Sequence, residues 1–323
     1  MLLRALMLGV GVLACSTAVI MVKQAQTHPV LLAAQRLLIA SVALTPLMMR
    51  DLRRLNVRLN WSLLRRTLLP GVMLGAHFIT WILGARLTLA ANASLIVNMV
   101  PIAMPFLLHW MIREKLTRGE WAGTALAIVG VGILAVGDYH LSPELFLGDM
   151  VCFGSMLLFA CYLALGRRNR DFPSIWIYLV PLYVVGGLAC LAAAGVLAWV
   201  WTIPGGGELL AALRIGEVHP LAVPRNVDWL LAVGLGLVPT VVGHSTLNYS
   251  MKHFGGQTVS IANLSQFIFA GTLAYFLLSE VPEAGFYAAA MLVLSGAVVA
   301  LRSTPPTSEV EPTGRFAPPR GES

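Results

Sequence analysis

The polar side chains of this 323-residue chain that could take part in chemistry are few, and most sit inside apolar runs. His77 and Trp81 are four residues apart, so on a helix both project from one side. A histidine titrates near physiological pH and suits a proton relay, and an aromatic wall beside it suits an apolar or aromatic solute. His244 lies in a later apolar run. Asn98 precedes Pro101 and Pro105. Proline has no N–H, so Pro101 frees the carbonyl of Val97 and Pro105 frees that of Pro101. A helix is expected to kink there, with the Asn98 amide beside the freed carbonyls. Asn263 and Gln266 are three residues apart, hence on one helical face, with Ser260 on the same face and Asn248 available to oppose them. Uncharged amides suit the carboxylate and ammonium of a zwitterion, or the edges of a heteroaromatic solute. Asn98, His77, Trp81, His244, Asn248, Asn263 and Gln266 are therefore the candidate substrate-binding residues. The competing role is helix-to-helix hydrogen bonding for His77, His244, Asn248, Asn263 and Gln266, a purely structural kink for Asn98 and ordinary packing for Trp81.

Catalytic chemistry has no such support. No Asp or Glu falls well inside an apolar run, and no buried carboxylate pair, His-Glu-x-x-His helix or Cys-His cluster appears. No catalytic residue, metal ligand or cofactor is assigned, and the chain is read as not an enzyme. Cys15, Cys152, Cys161 and Cys190 lie within apolar segments without metal spacing and are read as small packing residues. Arg36 is the one basic residue within a span; it could snorkel outward or bind an anionic group, and a structural bond to carbonyls or to the membrane interface is favoured.

The elements that must position these groups are membrane helices. Hydrophobic residues make up 58% and charged residues 11%, with a mean hydropathy of +0.79; soluble domains run at ~45–50% and ~25%. Continuous apolar runs exclude ten-residue barrel strands, and only helices pair every backbone group within their own segment. Spans are expected at about 5–22, 30–49, 67–86, 93–112, 119–137, 147–165, 175–200, 228–249, 258–279 and 284–301. With the N-terminus in the cytoplasm, Arg50, Arg53, Arg54, Arg58, Arg65, Arg66, Arg113, Lys115, Arg118, Arg167, Arg168 and Arg170 all fall inside. Only Lys23, Arg86, Arg214 and Arg225 fall outside, a bias that puts both termini in the cytoplasm. The basic balance is thus a topology signal and not a nucleic-acid footprint.

The chain also reads as a duplication. Glu114, Gly119, Ala122, Leu126 and Gly130 recur 166 positions later as Glu280, Gly285, Ala288, Leu292 and Gly296. Five spans per unit is an odd number, so the second copy inserts upside down. Under the same offset His244 maps to Phe78, beside His77, which suggests two histidines facing one cavity. The expected organisation is all-α, ten transmembrane helices as two inverted five-helix repeats: 1–137, 147–301, and a disordered cytoplasmic tail at 302–323. The connection from Thr202 to Asp228 carries three consecutive glycines, Gly205 to Gly207, has no counterpart in the first half and is read as a tolerated surface insertion.

These residues carry a family resemblance. Lys23, Pro29 and Arg36, the run from Ala91 through Pro101 to Glu114-Lys115-Leu116-Thr117, and then Gly123 and Gly130 resemble the EamA repeat of the drug/metabolite transporter superfamily. Pro239-Thr240, Gly243-His244, Asn248, Asn263 and Glu280 resemble its second copy. The resemblance implies a secondary transporter that exports or exchanges small metabolites by alternating access. With uncharged amides and a single basic residue inside the spans, neutral or zwitterionic solutes such as amino acids or related compounds are favoured over phosphorylated or nucleotide-sugar cargo. A lipid-active intramembrane enzyme or a scaffold is the competing class. The partners called for are a small-molecule substrate and the lipid bilayer of a bacterial-type inner membrane, with a homodimer left open.

Overall fold

A computed structural model describes residues 2–112, 117–169, 171–220, 227–253, 259 and 262–303. Ser260, Glu114, Lys115 and the tail from residue 304 onward lie outside the described residues. Among those described the chain is all helical. The helices are α1 (Leu2–Ser16), α2 (Ala18–Gln24), α3 (Pro29–Arg54), α4 (Trp61–Leu87), α5 (Ala90–Val97) and α6 (Val100–Ile112). Then follow α7 (Arg118–Leu141), α8 (Pro143–Arg168), α9 (Ile175–Thr202), α10 (Gly206–Ala212) and α11 (Val227–Leu235). A π-helical segment (Gly236–His244) joins α11 to α12 (Ser245–His253), and α13 (Gln266–Leu278) and α14 (Ala284–Ser303) complete the fold.

Among the described residues six helical stretches are long and apolar enough to cross a membrane: Leu6–Gln24, Pro29–Arg54, Trp61–Leu87, Pro143–Arg168, Ile175–Thr202 and Val227–Ser250. The other four expected spans overlap apolar helices that are shorter than a full crossing, Ala90–Met104, Trp121–Gly137, Ala262–Leu278 and Ala284–Val299. At about 1.5 Å per residue five of the six long stretches exceed the ~30 Å hydrocarbon core, and the 19-residue Leu6–Gln24 falls just short of it.

Local sequence explains where the helices start. Asn60 accepts a hydrogen bond from the Leu63 N–H, Ser142 from Glu144 and Ser174 from Trp176, each satisfying a donor that has no partner in the first turn. His28 caps α3 through Nδ1, which accepts from the Val30 N–H, and Pro29 occupies the first helical position, where its missing donor costs nothing. Proline also explains the π segment. Pro239 has no N–H to offer the Leu235 carbonyl, and the Thr240 hydroxyl donates to it instead at 2.7 Å.

Small residues set the helix crossings. A Cβ added at Gly75 of α4 would lie 2.8 Å from the Gly186 carbonyl oxygen of α9, and one at Gly186 would lie 2.9 Å from that of Gly71. The backbones of α4 and α9 are therefore in contact, which only glycine permits. Gly130 of α7 approaches the Ala289 carbonyl of α14 in the same way, at 2.9 Å for its added Cβ. In lipid the hydrophobic effect gives helices little reason to associate, so such close backbone approach supplies dispersion and lipid-entropy gains in its place.

Two expectations change. The kinked fourth span is a break: α5 stops at Val97, Asn98 and Met99 turn, and α6 begins at Val100. The Asn98 Nδ2 donates to the Ser94 carbonyl at 2.8 Å and so caps the broken end. Asp149, near the start of the span expected at 147–165 and so not counted as well inside an apolar run, stands in the second turn of α8 and is fully buried, accepting from the Thr88 hydroxyl at 2.7 Å. The Cβ-free surface of Gly148, against Leu87 and Thr88, lets α8 close over it.

A buried polar cavity where the two halves meet

The break after α5, the π segment and the middle of α4 face one another across a cavity. It is lined by Arg36 of α3, His77, Phe78 and Trp81 of α4, Ser94, Val97 and Asn98 at the break, Phe159 of α8, Pro239 and His244 of the π segment, and Gln266 of α13. Cys15, Ala18 and Val19 close it from α1 and α2. The space between atoms is ≈ 410 Å³, but the volume open to the centre of a water is only ≈ 30 Å³. In this conformation the cavity is constricted to water-sized dimensions, and a metabolite needs it to widen. By the latter measure a groove between α13 and α14 is larger, ≈ 620 Å³, yet its lining is almost wholly apolar and offers no convergent polar groups.

His77 is 4% exposed. Its Nδ1 lies 2.8 Å from the Ser155 hydroxyl and 3.1 Å from the Ser155 carbonyl, while the hydroxyl donates back to the His77 carbonyl at 2.9 Å. The imidazole stacks on Phe159 at 4.6 Å between centroids. His244 meets Phe78 and Phe159 edge to face at 5.1 and 5.5 Å, and its Nδ1 is buried without a hydrogen-bond partner among the described residues. Trp81 lines the cavity with its indole N–H in the same condition.

The amides form a chain. Asn263 Nδ2 donates to Asn98 Oδ1 at 2.6 Å, and Gln266 Nε2 donates to Asn263 Oδ1. Asn98 and Gln266 face the cavity, and Asn263 connects them from behind. The two asparagines are 165 residues apart, close to the 166-residue repeat offset, and each stands next to a helix interruption, Asn98–Met99 and Ser265. Asn248 is set back: its Nδ2 donates to the Tyr162 hydroxyl and to the His244 carbonyl, at 2.8 Å for the latter, so it buttresses the π segment.

Arg36 corrects the sequence reading. Among the described residues it bonds to no carbonyl, and it lies away from the exposed ends of the bundle. It is 0% exposed, its Nε donates to the Thr240 hydroxyl at 3.1 Å, and its Cζ sits 3.7 Å from the Phe78 ring centroid and 5.8 Å from that of Trp81. Both Nη atoms are buried without a hydrogen-bond partner among the described residues. A buried ion costs several kcal/mol, whereas a desolvated cation–π contact returns ~2 kcal/mol. Phe78 therefore offsets only part of that cost. The signal was present in the sequence as a lone basic residue within a span. Phe78, Phe159 and Ser155 carried none, because apolar and small residues look alike in every membrane helix.

Polar clusters close the two ends of the bundle. At the C-terminal end of α4, Lys23 pairs with Glu280 at 2.7 Å, and Glu280 also accepts the Ala90 N–H at 2.7 Å. Arg86 donates to the carbonyls of Val22, Ala25 and Thr27. Asp228 accepts from the Gln26 N–H and the Thr27 hydroxyl. His28 lies at this end, and burial lowers its pKa, opposed by the Gly216 backbone and reinforced by the Arg86 charge. At the other end of α4, Arg66 contacts Asn169 and Asp171, and the Ser174 hydroxyl donates to Asp51.

Comparison with known proteins agrees with this architecture. Residues 2–136 match the EamA-like transporter family, which bears out the resemblance over the first half of the chain. An uncharacterized transporter of Archaeoglobus fulgidus is 26% identical over 273 residues, spanning 83% of this chain and 84% of that protein. A protein of known crystal structure shares the fold at a TM-score of 0.63 and 17% identity, over 93% of this chain and 98% of its own.

Proposed function

We propose that this multi-pass membrane transporter, EamA-like over its first half, moves small neutral or zwitterionic metabolites, amino acids or related compounds, across a cell's inner membrane by alternating access. In this reading its ten apolar segments act as two inverted five-helix repeats, 1–137 and 147–301, with both termini in the cytoplasm. The observation that carries the proposal is the buried cavity built jointly by the two halves, with Arg36, His77, Trp81 and Asn98 from one and His244 and Gln266 from the other. A site at mid-depth between two repeats becomes accessible from alternate sides when one half rocks against the other. The water-sized constriction fits an occluded stage of that cycle. His77, Trp81, Asn98, His244 and Gln266 are the proposed solute contacts, with Asn263 and Asn248 supporting them. The distribution of Arg and Lys supports the orientation.

Two measurements test the proposal. Single cysteines at the exposed Arg54 and Glu144, introduced after replacing the four native cysteines, should react with an impermeant thiol reagent from opposite faces of the membrane. Labelling of both from one face would refute the topology. Purified protein in liposomes should take up radiolabelled amino acids or related metabolites unchanged. Chemical turnover of lipid without solute movement would refute the carrier.

A further inference from the structure

Within the carrier reading, we infer that the cavity recognises a carboxylate and that Arg36 is the residue that binds it, so the solutes are monocarboxylates with or without an α-ammonium group, which keeps the zwitterions of the proposed class, drops its uncharged members and adds simple monoanions. Four observations converge. The guanidinium is fully buried and borders the cavity. One of its edges is used by Thr240, and its face lies on Phe78, which leaves the two Nη groups without a partner among the described residues. Those two groups form the planar fork that takes a carboxylate through two parallel hydrogen bonds. Finally, among the described residues no Asp or Glu lines the cavity. The counter-charge has to come with the solute.

The same inventory ranks solutes. An ammonium finds no carboxylate among the described lining residues, only neutral groups such as the Asn98 and Gln266 amides, the Ser94 hydroxyl and His244 Nδ1. Recognition thus rests on the acid group, and an amino acid gains little over the corresponding simple acid. Uncharged amides leave the guanidinium unneutralised, and amines add a second positive charge. A single guanidinium does not balance a dianion. Phe78, Trp81 and Phe159 provide an apolar lining for the solute body.

The inference also makes a claim about the empty protein. A buried cation without a counter-ion is a cost to the apo fold, so replacing it by an apolar residue of similar volume is neutral or stabilising. A structural arginine behaves in the opposite way. The experiment uses the full-length protein in nanodiscs and measures melting temperature and equilibrium binding for wild type, Arg36→Met and Arg36→Lys. The probes are 3-phenylpropionate, phenylalanine, 3-phenylpropanamide and 2-phenylethylamine, with butyrate and butyramide as smaller bodies. Wild type should bind each acid at least about tenfold more tightly than its amide, the effect of a buried charge-assisted pair. Phenylalanine should fall near 3-phenylpropionate, and the amine should be weakest. Arg36→Met should melt no lower than wild type without solute and bind acid and amide alike. Arg36→Lys should keep part of the preference, since it retains the charge and loses the fork.

An amide or amine that binds as well as its acid, failure of every probe to bind, or a large drop in melting temperature on Arg36→Met would each overturn the inference. Uptake into liposomes separates this from failure of the carrier reading. If uncharged solutes cross and Arg36→Met transports them normally, the protein is a carrier with a different recognition chemistry. If folded wild type moves no solute of any charge, the carrier reading itself falls.

Discussion

The hydrogen bond between Asn98 and Asn263 joins two interrupted helices from opposite halves of the chain, and its strength is open to a double-mutant cycle. Removing the Asn263 side chain deprives Asn98 Oδ1 of a donor and Gln266 Nε2 of an acceptor. Removing the Asn98 side chain deprives Asn263 of its acceptor and uncaps the Ser94 carbonyl. A buried polar group left unpaired costs ~1–3 kcal/mol, so each alanine variant should lose stability in that range. The shared bond is weaker. Interhelical hydrogen bonds in membrane proteins average ~0.6 kcal/mol and reach ~1.7, because helices separated within the membrane find other partners. The double variant should therefore be more stable than the sum of the single losses implies by ~0.6–1.7 kcal/mol, roughly a 3- to 18-fold effect on the equilibrium constant. Reversible unfolding in mixed micelles, titrated with a denaturing detergent, measures all four corners of the cycle. Losses that add within ~0.3–0.5 kcal/mol would mean that the two asparagines do not depend on each other. The amide chain would then have no part in holding the halves together.

Two further outcomes follow from the packing and from the cap of α3. Gly75→Leu forces a side chain against the Gly186 carbonyl and should cost at least ~1–3 kcal/mol by thermal unfolding, whereas Gly132→Ala, with nothing within 4 Å of its new Cβ, should be neutral or gain up to ~1 kcal/mol. His28 is held below the ordinary histidine pKa by burial, so between the two pKa values the unfolded chain binds the extra proton. Stability should thus fall as pH drops below ~6.5 and level off under the folded value. His28→Asn, which retains a capping acceptor for Val30, should flatten that dependence in melting curves from pH 5 to 8; an unchanged slope would show that His28 is not its source.

Much of this protein was legible without its structure because bilayer chemistry acts on local sequence. A 20-residue apolar run has to satisfy its own backbone hydrogen bonds, so the positions of the long helices α3, α4, α8 and α9 followed from composition alone. Polar and aromatic residues that persist in such runs stand out, and His77, Trp81, Asn98, His244 and Gln266 are legible as candidates on that ground. Gly71 and Gly75, four residues apart and so on one side of α4, are a packing face legible from spacing alone. What the sequence does not contain is which polar groups end up sharing a space. Asn248 and Asn263 look like Asn98 in type and setting, yet one supports the π segment and the other stands behind the cavity wall. The π segment has no pattern of its own, since its register depends on Thr240 capturing the Leu235 carbonyl that Pro239 leaves free. Asp149 sits near a helix end, where sequence cannot separate a solvated loop from a turn sealed by the close approach of Gly148 to Leu87. Arg36 shows the division most clearly. Its rarity could be read from the chain, but the two uncommitted Nη groups arise only when α3, α4 and the π segment pack together, because partner and desolvation are properties of the surroundings and not of the residue.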